Sequence, residues 1–451
     1  MSTNIRNMTQ GKPAKLIFTF AVPLMAGNIF QQLYTVVDTM VVGKFLGVDA
    51  LAALGASDWL NWMMLGIVQG LTQGFAIKMA QDFGAGQDKA LRKTIGNSMI
   101  LAIIFSIFLV IGGEGIAAPT LRLLQTPAEI LPDSLLYIRI MFLGTPIVMA
   151  YNLLACILRS LGDSKTPLYA MIVASITNIV LDVLFVFGFQ WGIAGAAVAT
   201  LIAQLISSVY CYCHLRGIAL VKLDKEDFRL QGGLMGHLLY LGFPMAFQNA
   251  VIAVGGMVVQ FVVNGFGVIF IAGFTATNKL YGLLEIAATS YGYAVVTYVG
   301  QNLGARQLKR IHTGMGAALI IAGITSVVIG AIMLVFGKLI LGGFLSGTPA
   351  EVEQALQIAY FYLMIMSVCL PVLYLLHVVR SGIQGLGNTL LPMLSGVAEF
   401  VMRVGTALLL PAMVGEAGIF FAEIAAWVGA DIVLIVSWFA VMKGLKKIYA
   451  K

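Results

Sequence analysis

Long apolar stretches alternate with short polar segments along nearly the whole chain. Twelve of the stretches are long enough to cross a hydrocarbon layer about 30 Å thick as helices. They cover 16–41, 51–76, 95–118, 134–157, 167–189, 193–214, 238–263, 268–296, 315–343, 357–379, 391–413 and 417–442. The pattern therefore predicts an all-α integral membrane protein with twelve transmembrane helices.

The composition also differs from that of a soluble protein. The chain has 451 residues, of which 60% are hydrophobic and only 10% are charged, whereas a soluble domain carries about 25% charged residues. We therefore expect a lipid bilayer to surround most of the chain. The first apolar stretch is too long for a signal peptide and lacks a small-residue cleavage pattern, so we expect it to be retained.

Basic residues fall mainly on one side of the predicted topology. The segments that join the even-numbered helices to the odd-numbered ones, together with both ends of the chain, hold 21 of the 27 Lys and Arg residues. Because cytoplasmic segments are enriched in these residues, both termini are predicted to be cytoplasmic, in a prokaryotic inner (plasma) membrane. The net charge of +7 then reflects topology, and we expect no nucleic-acid partner.

Short motifs recur between the two halves of the chain. "QDFGAGQ" at 81–87 returns as "QNLGARQ" 220 residues later, and "LGDSKTP" at 161–167 returns as "LGNTLLP" 225 residues later. Six helices return a chain to its starting side, so the repeat predicts two parallel six-helix bundles related by a pseudo-two-fold axis along the membrane normal. Their predicted extents are an N-terminal lobe (1–215), a cytoplasmic linker (216–236) and a C-terminal lobe (237–451). Such an arrangement is typical of an alternating-access transporter.

Polar side chains inside the predicted helices are the candidate chemistry. Gln31, Tyr34, Thr35 and Asp38 follow an i, i+3, i+4, i+7 pattern and share one face of the first helix. Asn178 and Asp182 share a face of the fifth helix, and Thr200 lies in the sixth. Lipid penalises such groups, so we expect them to point into the bundle or a wet cavity.

These residues fit three hypotheses. One is a hydrogen-bonded pair with a purely structural role, and the other two involve an ion. Desolvation disfavours the charged form of a carboxylic acid, which would let it exchange a proton near neutral pH. Alternatively, carboxylate, amide and hydroxyl oxygens can hold a small cation. We therefore predict an ion-coupling site for H⁺ or Na⁺ and no other metal, made by Asp38, Asn178, Asp182 and Thr200.

The second half carries a different set of charges. Glu399 and Arg403 are four residues apart and are predicted to form a structural ion pair. The seventh and tenth helices contain no Asp or Glu, so the ion-coupling site is expected in the N-terminal half only. Glu285 and Asp58 are candidates to face a central cavity and attract cations.

Two backbone features bear on helix packing and motion. Gly66, Gly70 and Gly74 form a row that is typical of close helix contacts. Pro23 and Pro244 occupy matching positions in the two halves, and each is expected to kink its helix. Pro23 is therefore the predicted hinge.

The repeat, these polar residues and the opening stretch "MTQGKPAKLIFTFAVPLMAGNIFQQLYTVVDTMVVGKFLGVDALAALG" resemble the multidrug and toxic compound extrusion (MATE) family over essentially the whole chain. In that family an Asp in the first helix, an Asn-x-x-x-Asp pair in the fifth and a Thr in the sixth form a cation or proton site. Asp38, Asn178, Asp182 and Thr200 occupy those positions. Other branches place a Glu in the seventh helix and an Asp in the tenth, and this chain lacks both.

The resemblance implies a secondary transporter without enzymatic activity or cofactor. It would export small organic, often cationic and amphipathic, compounds by antiport with H⁺ or Na⁺ through rocker-switch alternating access, and would work as a monomer. A flippase of lipid-linked saccharides is the nearest alternative, but it would favour a strongly cationic cavity. The chain contains no H-E-x-x-H, G-x-S-x-G or P-loop motif, so a membrane enzyme or an ATP-driven pump is disfavoured. A channel would show ion flux without a second solute.

Overall fold

α-Helices form almost all of the computed structural model, which describes residues 4–124, 126–345 and 348–449. The described residues contain no β-strand. The thirteen α-helices found there are α1 (Pro13–Phe45), α2 (Val48–Gly84), α3 (Asp88–Leu123), α4 (Leu131–Leu143), α5 (Thr145–Ser160), α6 (Lys165–Asp182), α7 (Gly192–Arg216), α8 (Gly232–Asn264), α9 (Val268–Gly304), α10 (Leu308–Gly342), α11 (Pro349–Gly385), α12 (Leu390–Val414) and α13 (Phe421–Tyr449).

Most of these helices are long and apolar enough to cross a membrane. Ten satisfy that condition singly, and α4 and α5 satisfy it together. α9 is not among them, because polar residues such as Asn278, Lys279 and Glu285 lower its hydropathy. The predicted all-α membrane architecture is thus confirmed, whereas the number of twelve crossings stays a prediction.

The predicted single helix at 134–157 is two helices. α4 ends at Leu143 and α5 begins at Thr145, with a bend of 48° between them. Gly144 separates the two, and Pro146 lies in the first turn of α5. Proline has no backbone N–H and its ring collides with the preceding turn, so the helix cannot continue straight through this point.

α6 changes its winding within the predicted fifth helix. The α-helix ends at Asp182 and continues as a π-helix over Val183–Gly188. π-Helical turns are rare and occur often at functional sites, because the wider turn redirects the side chains beside it. Asp182 therefore lies at the junction of two helix types.

Contacts between residues divide the chain into two compact units. One comprises residues 4–8, 22–250 and 304–306, and the other comprises residues 9–21, 251–303 and 307–449. α1 and α8 each contribute to both units, with the division in α1 falling beside Pro23. The predicted lobes 1–215 and 237–451 stay a prediction.

Within the first unit, the glycine row of α2 packs directly on α8. Gly66 accepts a hydrogen bond of 2.8 Å from the side-chain amide of Asn249. A Cβ atom on Gly70 would overlap backbone atoms of Ala246, and one on Gly74 would overlap Gly242. The close helix contact predicted from the glycine spacing is thus confirmed.

The linker between residues 216 and 236 is held against α3. The Asn97 side chain donates to the Arg229 carbonyl oxygen at 3.2 Å and accepts from the Gln231 N–H at 3.2 Å. Asp227 is buried beside these contacts. The linker is therefore a docked segment of the first unit.

Candidate functional site

α1 and α6 bring two carboxyl groups together inside the first unit. Asp38 is 7% exposed and Asp182 is fully buried. The two carboxyl groups lie close enough for each to act electrostatically on the other. No ion pair in the described part of the chain involves either residue. Two buried carboxylates without a counter-charge are costly, so the pair needs positive charge from a bound proton or cation.

Asn178 and Thr200 join the same group. Asn178 lies one turn before Asp182 in α6 and is fully buried. Its side-chain amide donates to the Thr200 hydroxyl of α7 at 3.3 Å. The structure therefore places all four residues of the predicted ion-coupling site in one cluster.

Several oxygen atoms of this cluster form no hydrogen bond and are available to bind an ion. Asp38 Oδ1, Asn178 Oδ1 and both carboxylate oxygens of Asp182 are buried without a hydrogen-bond partner among the described residues. Buried polar atoms are rarely left unpaired in proteins. Hard cations prefer oxygen ligands, and a proton can be shared between paired carboxylates. The donor set therefore suits H⁺ or Na⁺.

The other residues on the predicted polar face of α1 are Gln31, Tyr34 and Thr35, and only some of them lie near this cluster. Tyr34 is half-buried, interacts with the Gln31 side chain and lies within electrostatic range of Asp38 and Asp182. Thr35 is exposed, and its hydroxyl donates to the Gln31 carbonyl oxygen at 3.0 Å. The hydroxyl of Thr35 is therefore used within its own helix.

α2 and α4 add two residues around the carboxyl pair. Asp58 is exposed and lies within electrostatic range of Asp38. Tyr137 of α4 is 6% exposed and lies within range of Asp38, Asp58 and Asp182. The sequence did not indicate Tyr137, because its position near the carboxyl pair depends on how α4 packs in the fold.

The second unit contains a chain of buried ion pairs across α11, α12 and α13. Arg403 Nη2 lies 3.0 Å from Glu399 Oε1 and 2.7 Å from Glu423 Oε2. Arg380 Nη2 lies 2.7 Å from Glu399 Oε2. The pair predicted from the i, i+4 spacing is thus the centre of a four-residue network, which we call the charged chain.

Two further charged residues of this unit lie beside partners on other helices. Arg380 falls between the predicted tenth and eleventh helices, and in the structure it lies inside α11 and is 8% exposed. Glu285, which is predicted to face a cavity, has its Oε1 3.3 Å from His377 Nε2, and its role at a cavity stays a prediction. Sequence reasoning missed both contacts because the partners lie on different helices, and only pairs within one helix have a recognisable spacing.

Pro23 lies inside α1, which continues as one helix from Pro13 to Phe45. Pro244 lies inside α8 in the same way. The predicted role of Pro23 as a hinge stays a prediction.

Both halves of the chain are similar to known proteins. The family model MatE matches the chain twice, over residues 23–184 and 244–409, with starts 221 residues apart. "Probable multidrug resistance protein YpnP" of Bacillus subtilis (strain 168) is 31% identical over 419 residues, covering 92% of each chain. "Probable multidrug resistance protein YoeA" of the same organism is 30% identical over 358 residues, covering 77% of this chain and 75% of the relative.

A solved structure described as "Crystal structure of MATE in complex with MaL6" has a TM-score of 0.91 at 22% identity, covering 99% of this chain and 100% of that one. At this identity the likeness shows the fold alone. The family model covers well over half of the chain, in two copies whose offset matches the sequence repeat. The chain therefore belongs to the multidrug and toxic compound extrusion (MATE, MatE) family, and it is an integral membrane transporter and not an enzyme.

Proposed function

We propose that this transporter exports small organic compounds, often cationic and amphipathic, in exchange for inward movement of H⁺ or Na⁺. The names of the relatives YpnP and YoeA support export of varied compounds. One observation carries the ion coupling. Asp38, Asn178 and Asp182 hold four buried, unpartnered oxygen atoms, and the two carboxyl groups form no ion pair in the described chain. The transporter needs no cofactor besides the coupling ion.

In the proposed cycle, the ion binds at Asp38 and Asp182 in an outward-open form. Loss of their negative charge lets the polar face of α1 close against α6 and α7, with bending at Pro23. The substrate is displaced outward, the two predicted lobes rock, and the ion leaves to the cytoplasm. The membrane potential contributes about 2.3 kcal/mol for each charge moved through 100 mV.

Substrate contacts are proposed around this site. Gln31, Tyr34 and Thr35 continue the α1 face towards the N-terminal end of the helix, and exposed Asp58 would attract cations. Glu285 would do the same in the second unit, provided that His377 is neutral. We further propose that the protein works as a monomer in the inner membrane, with both termini cytoplasmic.

The test is efflux of ethidium from proteoliposomes with an imposed pH or Na⁺ gradient. We compare the wild type with Asp38→Asn and Asp182→Asn, and use Asp133→Asn as the matched control because Asp133 is an exposed carboxylate of α4. Both site variants are expected to lose gradient-driven efflux by at least about tenfold, which corresponds to about 1.4 kcal/mol, while the control keeps it. Full gradient-driven efflux in Asp38→Asn would contradict the proposed coupling.

The wild type alone separates the alternative functions. If neither gradient drives efflux of several organic cations, a flippase of lipid-linked saccharides becomes the hypothesis to test. If ions cross the vesicle membrane without any second solute, the protein acts as a channel.

A further inference from the structure

Asp431 is a second buried carboxyl group without a partner. It lies in α13, is 5% exposed, and neither of its carboxylate oxygens has a hydrogen-bond partner among the described residues. Trp427 one turn earlier and Leu434 one turn later share its helix face, and both are buried. The carboxyl group therefore lies in an otherwise apolar stripe.

The nearest charges around Asp431 belong to the charged chain. α13 packs against α11 and α12, and Asp431 lies within electrostatic range of Arg380 and Glu399. The guanidinium group of Arg380 is already engaged, because it donates to Glu399 at 2.7 Å and to the Ser395 hydroxyl at 3.3 Å. Arg380 therefore attracts Asp431 without forming an ion pair with it.

Other ionisable groups on the neighbouring elements are engaged or distant. On α9, Tyr281 stacks on Trp427 with ring centroids 6.0 Å apart. Apart from tyrosines and Cys369, the remaining ionisable groups of these elements are Glu285 and Lys279 on α9, Glu351, Glu353 and His377 on α11, Arg403 on α12, Glu416 in the turn before α13, and Glu423, Lys443, Lys446 and Lys447 on α13. Lys279 is exposed and forms no ion pair within the described residues. Lys443 lies roughly 18 Å along the helix from Asp431, at 1.5 Å per residue.

The charges of this cluster do not balance. Its four carboxylates face two guanidinium groups and one histidine, which can supply at most three positive charges. Glu285 lies beside His377, Glu423 beside Arg403, and Glu399 between Arg380 and Arg403, so Asp431 is the acid left over. A surplus negative charge in a medium of low dielectric constant is removed by protonation or by a bound cation.

A proton fits this position better than a cation. Hard cations need several oxygen ligands, and no group of three or more His, Cys, Asp or Glu side chains in the described chain is arranged to hold a metal ion. On its own helix, Asp182 has Asn178 one turn away, whose amide donates to the Thr200 hydroxyl, whereas the residues one turn from Asp431 on its helix face are Trp427 and Leu434. The two carboxylate sites therefore differ in chemistry.

We propose that Asp431 is a proton-binding site in the C-terminal half of the chain, separate from the Asp38–Asp182 cluster, and that it gains and loses one proton in each transport cycle. When the proton passes to water, the carboxylate competes with Glu399 for the Arg380 guanidinium group. This exchange changes the contact of α13 with α11 and α12. The inference deepens the proposed function and rests on it only for the statement about the cycle.

The first experiment detects the proton directly. Infrared difference spectra of the purified transporter in lipid, recorded between two pH values, show the C=O stretch of protonated carboxylic acids. We expect one such band to be lost in Asp431→Asn and retained in the Asp38→Asn/Asp182→Asn double variant and in Asp133→Asn. If Asp431→Asn keeps every acid band of the wild type, the proposal is wrong. Removal of the band by Na⁺ at constant pH would instead indicate a cation site.

A second infrared experiment tests the proposal even if the Asp431→Asn variant folds poorly. In the wild type grown with ¹³C-aspartate, the band should move to lower frequency because it belongs to an aspartic acid. In Asp431→Glu, which keeps an acid at this position, the acid band should no longer respond to the aspartate label. A label-independent band in the wild type would contradict the assignment.

A transport experiment measures how many protons are exchanged for each substrate molecule. The pH gradient and membrane potential at which ethidium flux reverses give the number of protons exchanged per substrate, and Asp431→Asn should lower this number by one, whereas Asp133→Asn should not. An unchanged number excludes this proton from the cycle. If the wild type shows no coupled flux, the proposed function fails, while the infrared result still decides whether Asp431 binds a proton.

Discussion

Thr200 contributes to the candidate site through a single hydroxyl group. Replacing it in Thr200→Val preserves the shape but removes the acceptor of the Asn178 amide. A buried amide left without its partner costs about 1–3 kcal/mol. We therefore expect the half-saturating concentration of the coupling ion to change by roughly tenfold or more, measured as the ion dependence of ethidium efflux.

Thr177→Val is the matched control for this prediction. Thr177 precedes Asn178 in α6, but its hydroxyl donates to the Val173 carbonyl oxygen at 2.8 Å within the helix. Its loss should leave the ion dependence unchanged. Equal effects of the two variants would show that the Thr200 hydroxyl has no special role.

Arg403 is the residue on which the charged chain depends. Arg403→Met leaves Glu423 without its counter-charge and Glu399 with Arg380 alone inside the second unit. Removing one partner of a buried ion pair typically costs about 3–5 kcal/mol. We expect the purified protein to unfold at a clearly lower temperature or denaturant concentration.

Glu353→Gln tests whether any broken ion pair has this effect. Glu353 lies 3.8 Å from Lys338, and both side chains are about half exposed. Exposed pairs contribute about 0–1 kcal/mol, so this variant should unfold close to the wild type. A comparable loss of stability in both variants would contradict the importance assigned to burial.

Residues of the candidate ion site could be found from sequence because helical periodicity shows which polar residues share a face. Asp38 and Asp182 stood out because carboxylates are costly in a membrane. Tyr137 and Arg380 were not found. Their contacts depend on helices brought together by the fold, and no spacing in the sequence encodes such a contact.

At the scale of helices, the contact between α2 and α8 gives a sharp prediction. In Gly70→Ala the new methyl group would overlap backbone atoms of Met245 and Ala246, which cannot move aside as a side chain can. Overpacking of this kind costs about 1–3 kcal/mol. We expect a lower unfolding temperature of the purified protein.

Gly55→Ala is the control in the same helix. A Cβ atom on Gly55 meets nothing within 4 Å, and alanine favours a helix over glycine by about 1 kcal/mol. This variant should be as stable as the wild type or slightly more stable. If Gly70→Ala is equally well tolerated, α2 and α8 do not pack as closely as described.

The two irregular helices show where sequence periodicity reaches its limit. Hydropathy averaged over a helix-length window locates an apolar stretch but passes over a local break. The break at Gly144 had a local signal in the following Pro146, whereas the π-helix at Val183–Gly188 had none. Its winding depends on how α6 packs in the fold, which the sequence does not display.

At the scale of the whole molecule, the repeat was visible in sequence because short motifs recur at a nearly constant offset. The double match of the MatE model has the same offset. The charges do not follow the repeat. The first unit holds a carboxyl pair without counter-charges, while the second holds the charged chain. Two matches to one family model thus carry different chemistry in the two parts of the chain.

The number of membrane crossings depends on α9, whose polar residues leave its hydropathy short of that of the other long helices. Burial could offset this, since many residues of α9 are buried, among them Phe274 and Tyr291. Polar side chains are tolerated in a membrane where they face protein instead of lipid. We therefore predict that α9 crosses.

Reporter fusions test whether α9 crosses the membrane. Alkaline phosphatase is active only outside the cytoplasm, so fusions after Phe266 should be active and fusions after Arg306 inactive if α9 crosses. Fusions after Gln87 and Thr126, which flank the strongly apolar α3, provide the matched inactive and active references. Green fluorescent protein at the C-terminus should fluoresce, because an even number of crossings returns the chain to the cytoplasm. Phosphatase activity after both Phe266 and Arg306 would mean that α9 does not cross and that the twelve-helix prediction is wrong.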